Sequence, residues 1–303
     1  MRLKEWSAFW LLGLVWGSSF LWIKIAVGFM GPLAVAAFRQ LIGVLGLLVV
    51  MRIQRQPFPR DWPTLRAYVI LGVLQSAVPF ALIAWGETRI DSGLAAILNG
   101  TMPLFTILIA HFWLHDDKMT PARLAGLGVG FGGVLVLGSR DLGPEGFHGT
   151  AWGQLAVLIA TVSYAVASTF SRRQLRDQPP LLQATMVVLV GDVILWSSVG
   201  VAERPLHLPA AALPWIALAW LGLLGSCLAY LLYFYLINAW GPTRASLVTY
   251  VFPVIGLILG IGFLGERVDW HLVLGSLLVV SGIVVVHGRP RTARRAAALS
   301  AVE

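Results

Sequence analysis

The chain has 303 residues, 58% of them hydrophobic and only 12% charged, against about 25% charged in an ordinary soluble domain. With a mean hydropathy of +0.81, this excludes a soluble enzyme and a disordered protein. Apolar runs that last about 20 residues, instead of alternating with polar ones, also argue against an outer-membrane barrel.

In chain order, the apolar runs predict ten membrane-spanning helices: 5–28, 32–51, 63–86, 92–114, 120–138, 150–171, 181–201, 212–238, 243–264 and 270–287. The start Met1-Arg2-Leu3-Lys4 is basic, like the head of a signal peptide. No small-residue cleavage site follows, so the first helix is expected to be retained. The linkers between runs are short, rich in Gly and Pro, and too small to hold a soluble domain. Trp6, Trp62, Trp152, Trp215, Trp240 and Trp270 fall near the ends of runs, where an amphipathic ring suits the headgroup layer.

The net charge of +8 would suggest nucleic acid in a soluble protein. Its placement here suggests orientation instead. With a cytoplasmic N-terminus, 16 Lys and Arg fall on the cytoplasmic side and 4 (Arg89, Arg140, Arg204, Arg267) on the other, leaving Lys24 and Arg39 inside runs. Such a bias is the usual orientation signal, and it supports ten spans with both termini cytoplasmic. The basic tail, residues 290–303, reads as a lipid-headgroup and orientation feature rather than a nucleic-acid site. The single cysteine, Cys227, permits no intrachain disulfide and no Cys-based metal cluster.

The second half echoes the first at an offset of about 150 residues. Ala95–Asp116 aligns with Ala245–Glu266, pairing Pro103 with Pro253, Asn99 with Thr249 and Asp116 with Glu266. The same offset pairs Ser76 with Ser226 and Phe80 with Tyr230, while an offset of 148 pairs Trp16 with Tyr164. Each half carries five runs, an odd number, so the halves would insert in opposite orientations. The expected fold is an all-α integral membrane protein of two inverted five-helix repeats, residues 1–146 and 147–289. That architecture recurs among secondary transporters, because exchanging the arrangements of the two halves yields inward- and outward-open states of similar energy.

These features converge on a known pattern. Trp16-Gly17-Ser18-Ser19-Phe20, Phe38-Arg39, the mid-run prolines 103 and 253, the acidic closers Asp116 and Glu266, and the Gly-rich fifth and tenth runs resemble the EamA-type branch of the drug/metabolite transporter superfamily. The resemblance covers essentially the whole chain as two tandem units. It implies a bacterial inner-membrane transporter, usually an exporter of amino acids, metabolites or toxic organic compounds. Asp192, deep in the seventh run, has no counterpart in that pattern.

Polar groups inside spans are costly and gather where helices face protein or water. Trp16, Ser19, Gln75, Asn99, Tyr164, Ser168, Tyr230, Thr249 and Tyr250 are read as the wall of a central substrate cavity, with aromatic faces for stacking and amides and hydroxyls for orientation. The competing reading is ordinary packing between helices. Pro103 and Pro253 each remove a helical hydrogen bond, which makes them hinges or fixed kinks. Arg39 and Asp192 lie at similar depths, ~10 and ~12 Å from the outer boundary at 1.5 Å per residue. They are read as a coupling or gating pair, against a static ion pair or a carboxylate held by hydroxyls. Glu87 is expected near the outer surface, within a solvated charge cluster with Arg89 and Asp91, and Lys24 is placed to snorkel. The glycines of the fifth and tenth runs (Gly126, Gly128, Gly130, Gly132, Gly275, Gly282) read as close helix packing.

A membrane enzyme is the rival class. No HExxH or GxSxG motif occurs, and histidines 111, 115, 148, 207, 271 and 287 lack metal-ligand spacing. No cofactor and no metal are expected. The expected partners are a small-molecule substrate and the lipid bilayer, with a homodimer left open. An alternative to amino-acid export is a multidrug or organic-cation exporter or an uncoupled facilitator. The topology is tested with reporter fusions after Arg140 and after Arg295. Opposite sides are expected, and the same side for both would overturn it.

Overall fold

The computed structural model describes residues 3–113, 119–139, 142–143, 146–147, 149–240 and 242–287. Asp116, Arg140 and the tail 290–303, singled out above, lie outside them. The described residues run through α1 Leu3–Val27, α2 Pro32–Ile53, α3 Trp62–Glu87, α4 Ser92–Trp113, α5 Pro121–Ser139, α6 Gly149–Gln174, α7 Pro180–Ala202, α8 Ala212–Trp240, α9 Leu247–Leu264 and α10 Trp270–His287. Nine of these, among the described residues, are long and apolar enough to cross a membrane; the apolar stretch of α10, Trp270–Val286, is shorter. A two-residue antiparallel pair, Leu142–Gly143 against Gly146–Phe147, links α5 to α6. The all-helical architecture follows from the apolar surroundings, because an α-helix satisfies its backbone donors and acceptors within one segment.

Helix ends are set by local chemistry. Prolines occupy the first turns of α2 and α7, where the missing N–H costs nothing. Asp61 caps α3 by accepting from the Thr64 N–H at 2.9 Å. Two further helix starts are capped from a distance. Glu203, just past α7, accepts from the Leu33 and Ala34 N–H groups of α2 at 2.9 and 2.8 Å. Glu266, just past α9, accepts from the Ser92 N–H (2.7 Å), the Ser92 hydroxyl (2.6 Å) and the Gly93 N–H (3.0 Å) of α4. Carboxylates at helix N-termini answer both the free donors and the helix dipole. Gly265 makes the second cap reachable: at φ 64° it turns the chain so that the Glu266 N–H returns to the Gly260 carbonyl at 3.2 Å. At the same end of the bundle, Lys24 Nζ donates to the Glu87 and Ile90 carbonyls, each at 2.7 Å. Lys24 therefore ties α1 to the end of α3 instead of snorkelling.

The six tryptophans singled out above stand near helix ends. Trp6, Trp62, Trp152, Trp215 and Trp270 are exposed, while Trp240 is half-buried and donates to Glu5 Oε2 at 2.7 Å, tying α8 to α1. First-half helices pack closely on second-half ones: Gly17 meets Ile255, Gly43 meets Ser226, and Gly256 meets Ala96.

The α5–α10 crossing is closer still. A Cβ added at Gly133 would stand 2.7 Å from both the Gly275 carbonyl and the Val279 nitrogen, and one at Gly126 would stand 2.6 Å from the Gly282 carbonyl. Gly128 and Gly132 do not share in this packing: nothing lies within 4 Å of a Cβ at either. They occupy the opposite helix face, a correction to the sequence reading. Gly133→Leu should therefore destabilise the protein by about 1–3 kcal/mol through overpacking, while Gly132→Leu should be near neutral. Thermal unfolding in detergent distinguishes them, and equal effects would contradict this packing.

Candidate functional site

Two helices change register at corresponding places. α3 contains a π-helical stretch, Val73–Ala77, and α8 another, Trp220–Leu228. Such stretches release carbonyls from the i→i−4 pattern. In α3, Pro79 stands four residues after Gln75 and has no N–H to give the Gln75 carbonyl. In α8, the Ala229 N–H turns to the Leu224 carbonyl instead of to Gly225. Residues 75 and 225 are 150 apart, the offset of the sequence echo.

Each freed carbonyl is answered from the other half. Tyr230 Oη donates to the Gln75 carbonyl at 2.9 Å, and Trp16 Nε1 donates to the Gly225 carbonyl at 2.9 Å. Ser163 Oγ donates to the neighbouring Leu74 carbonyl at 2.7 Å.

These bonds frame a cavity of about 60 Å³, room for about four waters. Trp16, Ser19, Arg39, Gln75, Asn99, Tyr164, Tyr230 and Thr249 line it, as do Phe20, Ile23, Phe80, Ile83, Met102, Tyr233 and Phe252. The rings pack edge-on or tilted around it: Trp16 lies 5.8 Å from Tyr230, 5.1 Å from Tyr233 and 6.3 Å from Phe252. The Thr161 hydroxyl lies 3.3 Å from Asn99 Oδ1, but its shorter bond, at 2.7 Å, is to the Val157 carbonyl of its own helix.

Seven of the nine residues expected to contact substrate thus share one cavity, and Ser168 and Tyr250 do not line it. Ser168 spends its hydroxyl on the Ala165 carbonyl of its own helix, at 3.0 Å. The sequence reading missed the apolar wall. Tyr233, one turn from Tyr230, and Phe20, one turn from Trp16, share faces with residues it had singled out. The two prolines do not line the cavity. α4 breaks at Thr101, just before Pro103, and the Pro253 ring packs against Gly100, so the irregular stretches of α4 and α9 meet.

The charged residues are arranged differently from the sequence reading. Arg39 is buried, and its Nε donates to Ser226 Oγ at 3.1 Å and its Nη2 to the Gly225 carbonyl at 3.4 Å. Its guanidinium carbon lies 4.1 Å from the centre of the Phe80 ring, a cation–π contact. Asp192 is buried outside the cavity wall, and its Oδ1 has no hydrogen-bond partner. Arg39 and Asp192 form no ion pair in this conformation. Glu87, expected to be solvated, has no exposed surface, and neither carboxylate oxygen has a partner. Arg89 beside it is exposed and stacks on Trp85 at 3.7 Å, so the expected surface cluster holds for Arg89 and fails for Glu87. His111 accepts from the Met119 N–H at 3.0 Å, a structural contact. No group of three or more His, Cys, Asp or Glu suited to a metal ion occurs among the described residues.

The sequence model of the EamA-like transporter family matches the chain twice, over residues 5–139 and 151–288. The chain belongs to the EamA-like transporter family. Among its relatives, the uncharacterized inner membrane transporter YedA of Escherichia coli (strain K12) is 30% identical over 92% of this chain and 89% of its own length. The uncharacterized transporter YoaV of Bacillus subtilis (strain 168) is 28% identical over 89% and 92%. Protein PagO of Salmonella typhimurium is 26% identical over 94% of each. One solved crystal structure superposes with a TM-score of 0.70 at 20% identity, covering 97% of this chain and 99% of that one, which establishes a shared fold. This EamA-family chain is thus a multi-pass bacterial inner-membrane protein and a transporter of the drug/metabolite superfamily. In it, Tyr230→Phe should strand the Gln75 carbonyl and cost about 1–3 kcal/mol. Trp16→Phe should cost less, because Arg39 still reaches the Gly225 carbonyl. Unfolding in detergent reads both, and an unchanged Tyr230→Phe midpoint would contradict the cross-half bond.

Proposed function

We propose that the protein is a secondary transporter that exports small metabolites, amino acids or related organic compounds, by alternating access around the central cavity. In this reading residues 1–146 and 147–289 are inverted five-helix repeats, the ten helices all span the membrane, and both termini are cytoplasmic. The observation that carries it is the cavity itself. It is lined by mid-helix aromatic and amide side chains from both halves, the usual composition of a small-molecule site. The π-helical stretches at corresponding places of α3 and α8 and the double family match support the repeat. At about 60 Å³ the cavity is contracted, so a substrate enters only as the walls part, which is what an alternating mechanism requires.

The outer end has built-in clasps. Glu203 on α2 and Glu266 on α4 join helix starts of the first half to helix ends of the second. Opening toward the outside breaks these bonds, and both carboxylates are then free to meet water.

Counterflow of labelled amino acids into proteoliposomes tests the site. Asn99→Ala should slow transport about five- to tenfold, the loss of one hydrogen bond of ~1–1.4 kcal/mol. Ser168→Ala should transport like the wild type, since that hydroxyl faces its own helix. Equal rates for the two variants would move the site elsewhere.

Proton coupling belongs to the same proposal. Asp192 is the carrier first suggested by depth, and Glu87 joins it as a second buried carboxylate. Lys24, Glu266 and Arg39 are the charged groups that act on Glu87. The variant of the true carrier, Asp192→Asn or Glu87→Gln, should keep substrate exchange and lose the response to a pH gradient. An unaltered pH response in both would make the protein an uncoupled facilitator.

A further inference from the structure

The cavity contains one charge and nothing to neutralise it. Arg39 is 5% exposed, yet no carboxylate lies within 4.0 Å of its guanidinium. A buried charge without a counter-charge is costly, and its neighbours do little to offset it. Ser226 and Gly225 take one N–H each, and Phe80 offers only a ring face. A guanidinium has five N–H donors in a planar fork, so most of that fork has no protein acceptor. The acidic group whose field reaches Arg39 is Glu87. Glu87 does not line the cavity, and the Lys24 ammonium stands beside it, on the Glu87 and Ile90 carbonyls.

The rest of the lining has the same character. It includes no Asp, Glu, Lys or His. Tyr233, 3% exposed, lines the cavity and its hydroxyl has no hydrogen-bond partner. The remaining surface is mostly aromatic and aliphatic. A small ligand here meets a planar cationic fork and an unused hydroxyl at one point, and apolar rings elsewhere. An organic cation meets a like charge and no acidic partner.

We infer that Arg39 is the anion-recognising group of the cavity, and that the transported compound carries a carboxylate on an apolar or aromatic body. The fork matches a carboxylate bidentately, and the rings around Trp16 hold the body by stacking and burial. This rests on reading the cavity as the transport site. It narrows that reading by excluding organic cations as a substrate class and by making the carboxylate, not an ammonium group, the required handle of any amino acid carried. The missing side chain at Gly225 leaves room for the fork: a Cβ there would stand 3.1 Å from Arg39 Nη2.

The first test varies the ligand and leaves the protein intact. Binding of phenylacetate, phenylacetamide, phenylalanine, phenylalaninamide and phenethylamine to the full-length wild-type protein in detergent is followed by tryptophan fluorescence and by thermal shift. Each carboxylate should bind at least about tenfold more tightly than its amide, in line with a charge-assisted pair, and phenethylamine should bind weakest. Amides or the amine binding as well as the carboxylates would overturn the inference, as would no binding of either carboxylate. Arg39→Gln should remove the carboxylate preference and Arg39→Lys should restore part of it. Where Arg39→Gln does not fold, Tyr233→Phe, which breaks no bond in this structure, should still weaken carboxylate binding severalfold. Uptake of the same compounds into proteoliposomes separates the two readings. Carboxylate-selective binding with no transport would leave the anion site standing and remove the cavity as the transport site. Transport of phenethylamine in preference to phenylacetate would do the reverse.

Discussion

A carbonyl released inside an apolar bundle has no water to turn to, and this constraint organises the middle of the molecule. The π-helical stretches of α3 and α8 release the Gln75 and Gly225 carbonyls. Leaving either bare in the interior would cost a buried, unsatisfied polar group. The donors come from the opposite half each time, Tyr230 for Gln75 and Trp16 for Gly225. These two bonds, with those of Ser163 and Arg39, join the halves at mid-depth, where apolar packing alone would leave them free to slide. The same two donors are aromatic, so satisfying the backbone also builds the cavity wall.

The end of the bundle that holds Glu203, Glu266 and Lys24 is closed by charge instead of by aromatic packing. Glu203 and Glu266 sit on the N-termini of α2 and α4, and Lys24 sits on the carbonyls at the end of α3. Each links two helices through a helix terminus, where partial charge and unmet hydrogen-bonding groups coincide. Contacts of this kind are strong while dry and readily exchanged for water. The α5–α10 pair differs in kind. Its backbones touch through Gly126, Gly133, Gly275 and Gly282, so the two helices have no room to shift against each other.

Between the mid-depth bonds and the charged end stands Arg39. Its surroundings give it hydrogen bonds and a ring face but no counter-charge. In a low-dielectric interior that leaves a field directed into the cavity, which an incoming anion can neutralise.

The sequence by itself determined the class of molecule. Runs of apolar residues of membrane-spanning length, the asymmetric Lys and Arg, and the echo at 150 residues are one-dimensional patterns, and each is legible without coordinates. Most of the cavity was legible too, because mid-span polar and aromatic residues such as Trp16, Gln75, Asn99, Tyr164 and Tyr230 are costly unless they face something other than lipid. What only the tertiary structure decided is which of these groups meet. Depth along two helices placed Arg39 and Asp192 at one level, but depth carries no information about rotation around the axes, and the two side chains do not pair. Distance from a helix end placed Glu87 in solvent, but neighbouring helices extend past it and bury it. Ser168 sits at the right depth with its hydroxyl on its own backbone, and Gly128 and Gly132 share a helix with Gly133 while facing away from its crossing. In each case the deciding quantity is the rotation and overlap of packed helices. These arise from the sum of all contacts in three dimensions, so no single stretch of sequence contains them.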